Sequence, residues 1–363
     1  MPESLRVRVL NVGQGDAIVG ILPGGDRALV VDVYDADRVL DFLTKEAISE
    51  VVLFLSHSDK DHTAGASDFL AEFPRNGRIL GILYNRDRLN AAVKGEYRKL
   101  TQGIAEFSRS ATGQEPGFLY ADFNANLNRF PAFSTLFREP CSVRVLHPEK
   151  ADLDSLVGLG TNDTAGVLMV ECREPGEKSC RILLAADIQL TAISLILARE
   201  SVDSVRADVL KFPHHGAWPE EWPGISFVRV QKKTLENFLR AVSPSTVIIS
   251  AGFENQHRHV RQEVFQLLET YHRETGHLNT VKCTQFTPTC LQQASLPEGG
   301  LLHKPHCAGG IEVILGPDSG EDGLEVLTFP NEHIDRVIEL HRVGRARCAF
   351  LPQVEAALSS RRW

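Results

Sequence analysis

The 363-residue sequence lacks any long apolar run, and this absence excludes a membrane-spanning helix from its predicted elements. No segment approaches the roughly 18 uninterrupted apolar residues that a bilayer-crossing helix requires. The first residues pass directly into an alternating strand pattern, without the apolar core of a signal peptide. The sequence therefore predicts a cytoplasmic protein with no membrane association.

Positive charge is also scarce, because 39 Lys and Arg residues face 47 Asp and Glu residues, for a formal net charge of −8. Such a balance excludes a surface that coats nucleic acid without specificity. It leaves room for a nuclease, since metal ions and a local basic strip can hold phosphate. Such a strip could consist of Arg229, Lys232, Lys233 and Arg240, or of Arg258 and Arg261 beside the last motif. The alternative is that these residues form ordinary solvated helix faces.

Disulfides are not expected either, because the seven cysteines stand in a chain without a predicted signal peptide. Four of them are scattered along the chain and are predicted to be structural thiols: Cys141, Cys172, Cys180 and Cys348. The other three lie between residues 283 and 307 and are treated below.

The most informative segment that is present follows the apolar run 51–55, which has the pattern of a buried strand. Residues 57–62 contain two histidines and two aspartates, and an apolar-periodic stretch typical of a helix comes next. Imidazole and carboxylate groups at a strand-to-helix turn suit divalent transition metals, and four donors could serve two ions. A merely solvated polar loop is the alternative interpretation.

This string, H-x-D-x-D-H, resembles the first metal motif of the metallo-β-lactamase superfamily, which is usually H-x-H-x-D-H. Asp59 stands at the second histidine of that motif, a variant similar to the hydrolase domain of ComEC-type competence proteins. Further segments resemble the family in the family's order: 10–17, 29–32, 162–164, 183–188, 211–216 and 255–259.

The resemblance implies a four-layer αββα metallo-β-lactamase sandwich, an α/β (α+β) fold, with an insertion and a C-terminal extension. The strand and helix patterns alone support only mixed α and β structure. We predict a hydrolase domain over residues 1–330 and a C-terminal helical tail over 331–363. Residues 86–135 are predicted to be an insertion near the active face, whose aromatic side chains either stack bases or pack in a core.

The family motifs also imply roles for the first string. His57 and Asp59 are expected to face one metal ion, Asp61 and His62 the other, and Asp187 to bridge the two. Taken alone, Asp187 could equally cap the helix that follows it.

The family's third histidine has no clear counterpart, and either Asn162 or Asp163 occupies its place. Together with Asp59, this leaves the first metal position rich in oxygen, which predicts Mn²⁺ in preference to Zn²⁺. His259 matches the family's last ligand, with His257 as a nearby competitor.

The pair His214 and His215 resembles the family's H-H-G motif. One histidine is expected to bind metal and the other to protonate the leaving group, and the sequence does not say which. Asp61, His214 and His215 are thus the predicted catalytic residues, and His214 is also a predicted metal ligand.

A second metal site is predicted in the loop 283–307. Cys283, Cys290 and Cys307, with His306 or His303, could hold one structural Zn²⁺ if the flanking strands bring the ends of the loop together. Otherwise these cysteines are thiols without a metal.

The predicted function is hydrolysis by water activated at two divalent ions, Mn²⁺ or Zn²⁺, most plausibly of a phosphodiester in nucleic acid or a nucleotide. The phosphodiester class is what the ComEC-type resemblance implies. Two alternatives stay open: hydrolysis of carbon esters, thioesters or lactams, and a non-enzymatic binding or regulatory component acting with a partner protein.

Overall fold

The computed structural model describes residues 4–85, 95–111, 119–155, 160–173, 179–218, 228–252, 259–285, 308–319 and 323–332. The strands, in chain order, are β1 (Leu5–Val9), β2 (Ala17–Ile21), β3 (Arg27–Val33), β4 (Glu50–Leu55), β5 (Arg78–Tyr84), β6 (Leu119–Asp122), β7 (Cys141–His147), β8 (Val167–Cys172), β9 (Cys180–Leu184), β10 (Val209–Lys211), β11 (Thr246–Ile249), β12 (Thr280–Cys283), β13 (Gly310–Leu315) and β14 (Leu324–Phe329).

The helices are α1 (Ala36–Lys45), α2 (Lys60–Thr63), α3 (Ala66–Glu72), α4 (Gly95–Ala111), α5 (Pro131–Ser134), α6 (Lys150–Ser155), α7 (Leu190–Arg199), α8 (Val202–Val205), α9 (Val228–Val242) and α10 (Gln262–Thr275). Short 3₁₀ turns cover Phe73–Arg75, Ala125–Arg129, Thr161–Thr164, Pro213–Gly216 and Pro317–Ser319.

The strands form two sheets, each with an antiparallel and a parallel part. The first sheet has eight strands in the order β14-β13-β1-β2-β3-β4-β5-β6, and the second has six in the order β12-β11-β10-β9-β8-β7. Pairing is parallel from β3 to β6 and from β9 to β12, and antiparallel elsewhere.

Three apolar cores separate four layers. In β4, Val52 and Phe54 point into the core between the sheets, whereas Val51, Leu53 and Leu55 point to the outer face covered by α1, α3 and α4. The second sheet has a matching outer core beneath α7, α9 and α10. Parallel strands covered on both faces consist of nearly continuous apolar residues, as β4 does. The predicted αββα sandwich is therefore confirmed.

Phe54 is the centre of the inter-sheet packing. It is fully buried, and its ring lies 5.6 Å from Phe123, 6.4 Å from Phe133 and 6.3 Å from Phe137, measured between centroids. Phe123 and Phe133, which belong to the predicted insertion, pack in the core rather than presenting rings for base stacking. Truncation of Phe54 to alanine would cost about 3–5 kcal/mol of stability.

The described parts of the predicted insertion, 95–111 and 119–135, are built into the framework. They supply α4 in the outer helical layer, β6 at the sheet edge and the aromatic packing around Phe54. Residues 86–94 and 112–118 lie outside the described ranges, so a position over the active face stays a prediction. Of the predicted C-terminal tail, the structure describes 331 and 332. Among the helices of the described ranges, none has both the length and the apolarity to cross a membrane.

The topology brings chemically active segments to one edge of the sandwich. Carboxyl ends of neighbouring parallel strands lie at the same edge of a sheet, and loops there carry the ligand-binding residues of many α/β proteins. Segments 56–62, 185–187, 212–216 and 250–252 follow β4, β9, β10 and β11. Across the interface between the sheets, the Ser250 hydroxyl donates to the Gly15 carbonyl (2.8 Å), and the Gly166 amide donates to the Ser56 carbonyl (2.9 Å).

Candidate metal centre

The first motif leaves β4 and turns into α2, whose N-cap residue is Asp59. His57 and His62 are fully buried, with ring centroids 4.1 Å apart. Asp59 and Asp61 keep 27% and 34% of their side-chain surface exposed. The turn therefore places imidazole on the inner side and carboxylate towards solvent.

Four side chains from three loops converge beside this turn: Asp61, His62, Asp187 and His215, each of which offers a ligand atom within 4.8 Å of the others. The Oδ2 atom of Asp187 lies 3.2 Å from His62 Nε2 and 3.4 Å from His215 Nε2. His215 Nε2 is also 3.6 Å from Asp61 Oδ2. Two carboxylates and two imidazoles are a donor set that suits a divalent transition metal.

Hydrogen bonds on the far side of each ring orient the imidazoles towards the cluster. His62 Nδ1 donates to Asp32 Oδ2 (2.7 Å), and His215 Nδ1 donates to the carbonyl of Ser250 (2.9 Å). Ser56 donates its hydroxyl to Asp32 (2.6 Å) and accepts from His57 Nδ1 (3.0 Å). These assignments follow from the hydrogen-bond network, and in the neutral form of each ring they leave Nε2 with a lone pair.

Four buried atoms of these side chains lack hydrogen bonds. Nε2 of His57, His62 and His215 and Oδ1 of Asp187 have no hydrogen-bond partner of acceptable geometry. Buried polar groups without partners are costly, whereas metal ligation satisfies such lone pairs. The residues present thus fit a metal ion.

The electrostatics support the same interpretation. Burial by itself lowers the pKa of an imidazole, yet the carboxylates of Asp187 and Asp32 raise the pKa of His62 well above its usual value. Against the same effect of burial, Asp187 and Asp16 raise the pKa of His215 to about 10. Burial opposes ionisation of Asp187, but the neighbouring histidines hold its pKa well below its usual range. The cluster therefore favours additional positive charge.

Asp32 is a supporting residue whose role the sequence analysis did not predict. It lies near the end of β3, is 1% exposed and accepts hydrogen bonds from the Ser56 amide (2.7 Å), the Ser56 hydroxyl and His62. One carboxylate thereby orients His62 directly and His57 through Ser56. Its signal in the sequence is an aspartate within an otherwise apolar strand, since buried carboxylates require partners.

Asp16 and Lys211 form a second supporting pair that was missed. Both are buried, and the Lys211 ammonium contacts the Asp16 carboxylate directly. Lys211 also donates to the carbonyl of Ala186 (3.3 Å) and lies 3.9 Å from Asp187 Oδ1. Burial works against its charge, but Asp16 and Asp187 raise the pKa of Lys211. The pair fixes the backbone immediately before Asp187.

The two histidines of the H-H-G motif occupy different environments. His215 is fully buried within the cluster, whereas His214 keeps 23% of its side chain exposed. His214 Nε2 lies 3.8 Å from Asp187 Oδ2, and its Nδ1 is 3.5 Å from the amide nitrogen of Gln189. The ring of His259, which is 7% exposed, stands 5.3 Å from that of His214. Burial lowers the pKa of His214.

Asp59 and Asp163 make different contacts in the structure. Asp59 Oδ2 lies 3.7 Å from His57 Nε2 and accepts a hydrogen bond from the Thr161 hydroxyl (2.9 Å). Asp163 instead accepts from the Gly160 amide (3.2 Å) within its own 3₁₀ turn, and burial raises its pKa. Among the described side chains, the metal-competent groupings do not include Asp163. Its local hydrogen bond competes with ligation.

Four of the cluster's backbone positions have a left-handed conformation that non-glycine residues rarely adopt. The φ angles are 60° at Asp32, 43° at Ala186, 48° at His214 and 51° at His215. Such conformations cost of order 1–3 kcal/mol each and persist only where the surroundings impose them, most often at functional sites.

Several of the predicted site residues lie outside the described ranges. Cys283 ends β12 and is buried, but Cys290, His303, His306 and Cys307 lie outside the described residues, as does His257. The structural zinc site thus stays a prediction.

Comparison with known proteins places this geometry in context. The chain is 23% identical over 285 residues to ComE operon protein 3 of Bacillus subtilis (strain 168), an alignment that covers 73% of this chain and 30% of that protein. The chain thus spans about a third of that relative's length. The predicted resemblance to ComEC-type proteins is confirmed, although the relationship is distant. No family model matches the chain.

Solved structures give weaker similarity. The metallo-β-lactamase fold protein YhfI from Bacillus subtilis is 14% identical with a TM-score of 0.40, over 77% of this chain and 96% of that one. Yeast PDE1 is 10% identical with a TM-score of 0.45, over 78% and 98%. Human tRNase Z, short form, is 13% identical with a TM-score of 0.37, over 67% and 90%.

Proposed function

We propose that this protein is a metal-dependent hydrolase that uses two divalent cations to cleave phosphodiesters. The observation that carries the proposal is the convergence of Asp61, His62, Asp187 and His215, whose ligand atoms lie within 4.8 Å of one another and whose buried Nε2 atoms lack hydrogen bonds of good geometry. Metal ligation would satisfy these Nε2 atoms, which the ion pairs at 3.2–3.6 Å leave without good hydrogen bonds.

The ligands divide into two groups. Asp61, His62, Asp187 and His215 would hold one cation, and His57 and Asp59 would contribute to the other, with Asp187 between them. Two cations at these positions would supply a Lewis acid for the phosphoryl oxygen and lower the pKa of water. The imidazoles must be neutral to bind metal, so cations would displace the protons that the carboxylates otherwise favour.

His214 is the proposed proton donor to the departing oxygen. Gln189 directs its amide nitrogen at His214 Nδ1, which assigns the proton of the neutral ring to Nε2, on the side of Asp187. Partial exposure allows the ring to exchange protons with water. His215 has the opposite arrangement, with Nδ1 occupied by the Ser250 carbonyl, and is therefore assigned as the ligand. His259, beside His214, is proposed as a further ligand.

The substrate class rests on two supports. The ComEC-type resemblance favours phosphodiesters over acyl compounds. In addition, Asp59, Asp61 and Asp187 make the donor set rich in carboxylate oxygen, which favours hard cations such as Mn²⁺ that also bind phosphate oxygens.

The test compares substrates and metals on one preparation. Metal-depleted protein would be reconstituted with Mn²⁺ or Zn²⁺ and assayed with bis(p-nitrophenyl) phosphate, p-nitrophenyl acetate and a chromogenic β-lactam. We expect hydrolysis of the phosphodiester that needs added metal. Asp187→Asn, which keeps the size of the side chain, should abolish turnover, and Asp68→Asn on the exposed face of α3 is the matched control.

Faster acyl hydrolysis than phosphodiester hydrolysis would reject the substrate class while keeping the metal centre. Failure to bind any divalent ion, by a protein whose circular dichroism shows it to be folded, would reject the hydrolase itself and favour a binding component.

A further inference from the structure

Cys141 stands in the second sheet beside Cys172 and Cys180, two cysteines that follow it at a distance in the sequence. Cys141 begins β7, Cys172 ends β8 and Cys180 begins β9. In the strand register, Cys141 is opposite Cys172, and Cys172 is opposite Cys180. All three side chains are buried in the core between the sheets, at 5%, 2% and 4% exposure. The row lies at the end of β8 and β9 remote from the metal centre.

The backbone hydrogen bonds show which neighbours are closest. The Arg173 amide donates to the carbonyl of Pro140 (3.0 Å), so residues 140 and 173 form a hydrogen-bonded pair of the antiparallel ladder. Because such pairs alternate with non-hydrogen-bonded ones, Cys141 and Cys172 form a non-hydrogen-bonded pair. In that arrangement the two Cα atoms are about 4.5 Å apart and the side chains are at their closest.

This spacing matches a disulfide. Bridged cysteines usually have Cα atoms separated by about 4.4–6.8 Å, and both side chains must be on the same face, as here. The peptide groups of Cys172 that turn away from β7 point to β9, so Cys172 and Cys180 form the wider, hydrogen-bonded pair, at about 5.5 Å between Cα atoms.

We propose that Cys141 and Cys172 form a reversible disulfide, a covalent site remote from the metal centre and independent of the hydrolase function. With a small organic disulfide as oxidant, the thiolate of one cysteine attacks it, releases one small thiol and leaves a mixed disulfide. The second cysteine then attacks the protein sulfur of that intermediate and releases the other small thiol. Two protein thiols lose two electrons and two protons, which reduce the oxidant to two thiols.

The surroundings of Cys141 and Cys172 determine how fast the disulfide forms and which segments it constrains. Contact with Cys172 and burial raise the pKa of the Cys141 thiol, so little thiolate is present near neutral pH and the exchange is slow in the closed fold. Cys141 is the first residue of an edge strand, where fraying gives the oxidant access. Once formed, the bridge ties β7 to β8 and closes the chain segment that contains the turn Thr161–Thr164, which contacts Asp59.

The experiment equilibrates the full chain with mixtures of reduced and oxidised glutathione at mildly alkaline pH, followed by alkylation of remaining thiols and peptide mapping. We expect a population with two fewer alkyl groups than the reduced protein, a peptide linkage between Cys141 and Cys172, and a higher thermal unfolding midpoint than the reduced protein has. Excess dithiothreitol should restore the thiols and the lower midpoint.

Matched variants make the outcome specific. Cys180→Ser should keep the linkage, whereas Cys141→Val and Cys172→Val should each lose it. Valine is chosen because it suits the apolar surroundings, and Cys180→Val replaces Cys180→Ser if the serine variant fails to fold. A linkage between Cys172 and Cys180 would overturn the assignment, and so would full retention of both thiols at the most oxidising ratio. Mixed glutathione adducts on both Cys141 and Cys172, without a linkage, would also overturn it.

Discussion

Replacing Asp32 by asparagine would test whether one buried carboxylate prepares the metal centre. Asparagine is nearly isosteric and tolerates the left-handed backbone found at this position, where φ is 60°. The substitution removes the charge that accepts the Nδ1 proton of His62 and the Ser56 hydroxyl proton. An asparagine oxygen is a weaker acceptor for the Nδ1 proton of His62. The tautomer that directs the Nε2 lone pair at the cluster is therefore less favoured.

The magnitude follows from two effects. Loss of a supporting partner typically lowers metal affinity by a factor of about 10–100, which corresponds to about 1.4–2.8 kcal/mol of binding free energy. A hydrogen bond to a charged group contributes about 1.5–3 kcal/mol to folding stability. Asp32→Asn should therefore lower both the metal affinity and the unfolding midpoint of the metal-free protein.

The assay is competition for Mn²⁺ or Zn²⁺ against a chromogenic chelator, with thermal unfolding measured in parallel. Asp41→Asn, at an exposed position of α1, is the control for removing one negative charge. In a His62→Ala background, the Asp32→Asn change should lose the part of its effect on affinity that acts through His62 and keep only the part that acts through Ser56 and His57. Wild-type metal affinity in a folded Asp32→Asn protein would refute the reasoning.

Further predictions concern the ligands, the choice of metal, acid stability and the cysteine loop. Asp61→Ala and His62→Ala should each abolish hydrolysis without unfolding the chain, and retained turnover at unchanged metal content would contradict this. Mn²⁺ should support higher turnover than Zn²⁺ after reconstitution, measured without excess zinc. Burial lowers the pKa of His147 to about 4 from about 6.5 when unfolded, so the unfolded state binds more protons between these values. Stability should thus fall by up to about 3 kcal/mol as pH drops through this window, and His147→Gln, followed by denaturant unfolding, should remove that part of the slope. A zinc ion held near Cys283 should survive Asp61→Ala, and freely reacting thiols with no zinc would eliminate that site.

The local patterns of the sequence were sufficient to predict the main strands and helices and two of the four clustered residues, Asp61 and His62. Apolar runs such as 51–55 predicted buried strands, because a strand covered on both faces needs apolar residues at every position. Dense ligands after such a strand predicted the first motif, since a turn at a strand end makes its side chains converge. The matches at Asp187 and His215 came from family resemblance, and the structure brings both to the cluster.

Other features depend on contacts between distant segments, which no local pattern encodes. Asp32 and Lys211 read as unusual polar residues in apolar strands, and only the packing of two sheets shows that they support His62 and Asp187. The distinction between His214 and His215 likewise depends on Gln189 and Ser250, because the occupied nitrogen of each ring determines which one is available.

The sequence by itself determined that this chain has mixed α and β structure, a metal-type motif and no long apolar span, because these properties follow from residue order within short windows. The tertiary structure alone decided which donors converge and which of two adjacent histidines is buried in the cluster. It also decided that Asp163 accepts a hydrogen bond within its own turn, and that Cys141 stands in a row with Cys172 and Cys180. The physical reason is that ligation, burial and thiol pairing require distances of a few ångströms between residues that folding, and not chain order, brings together.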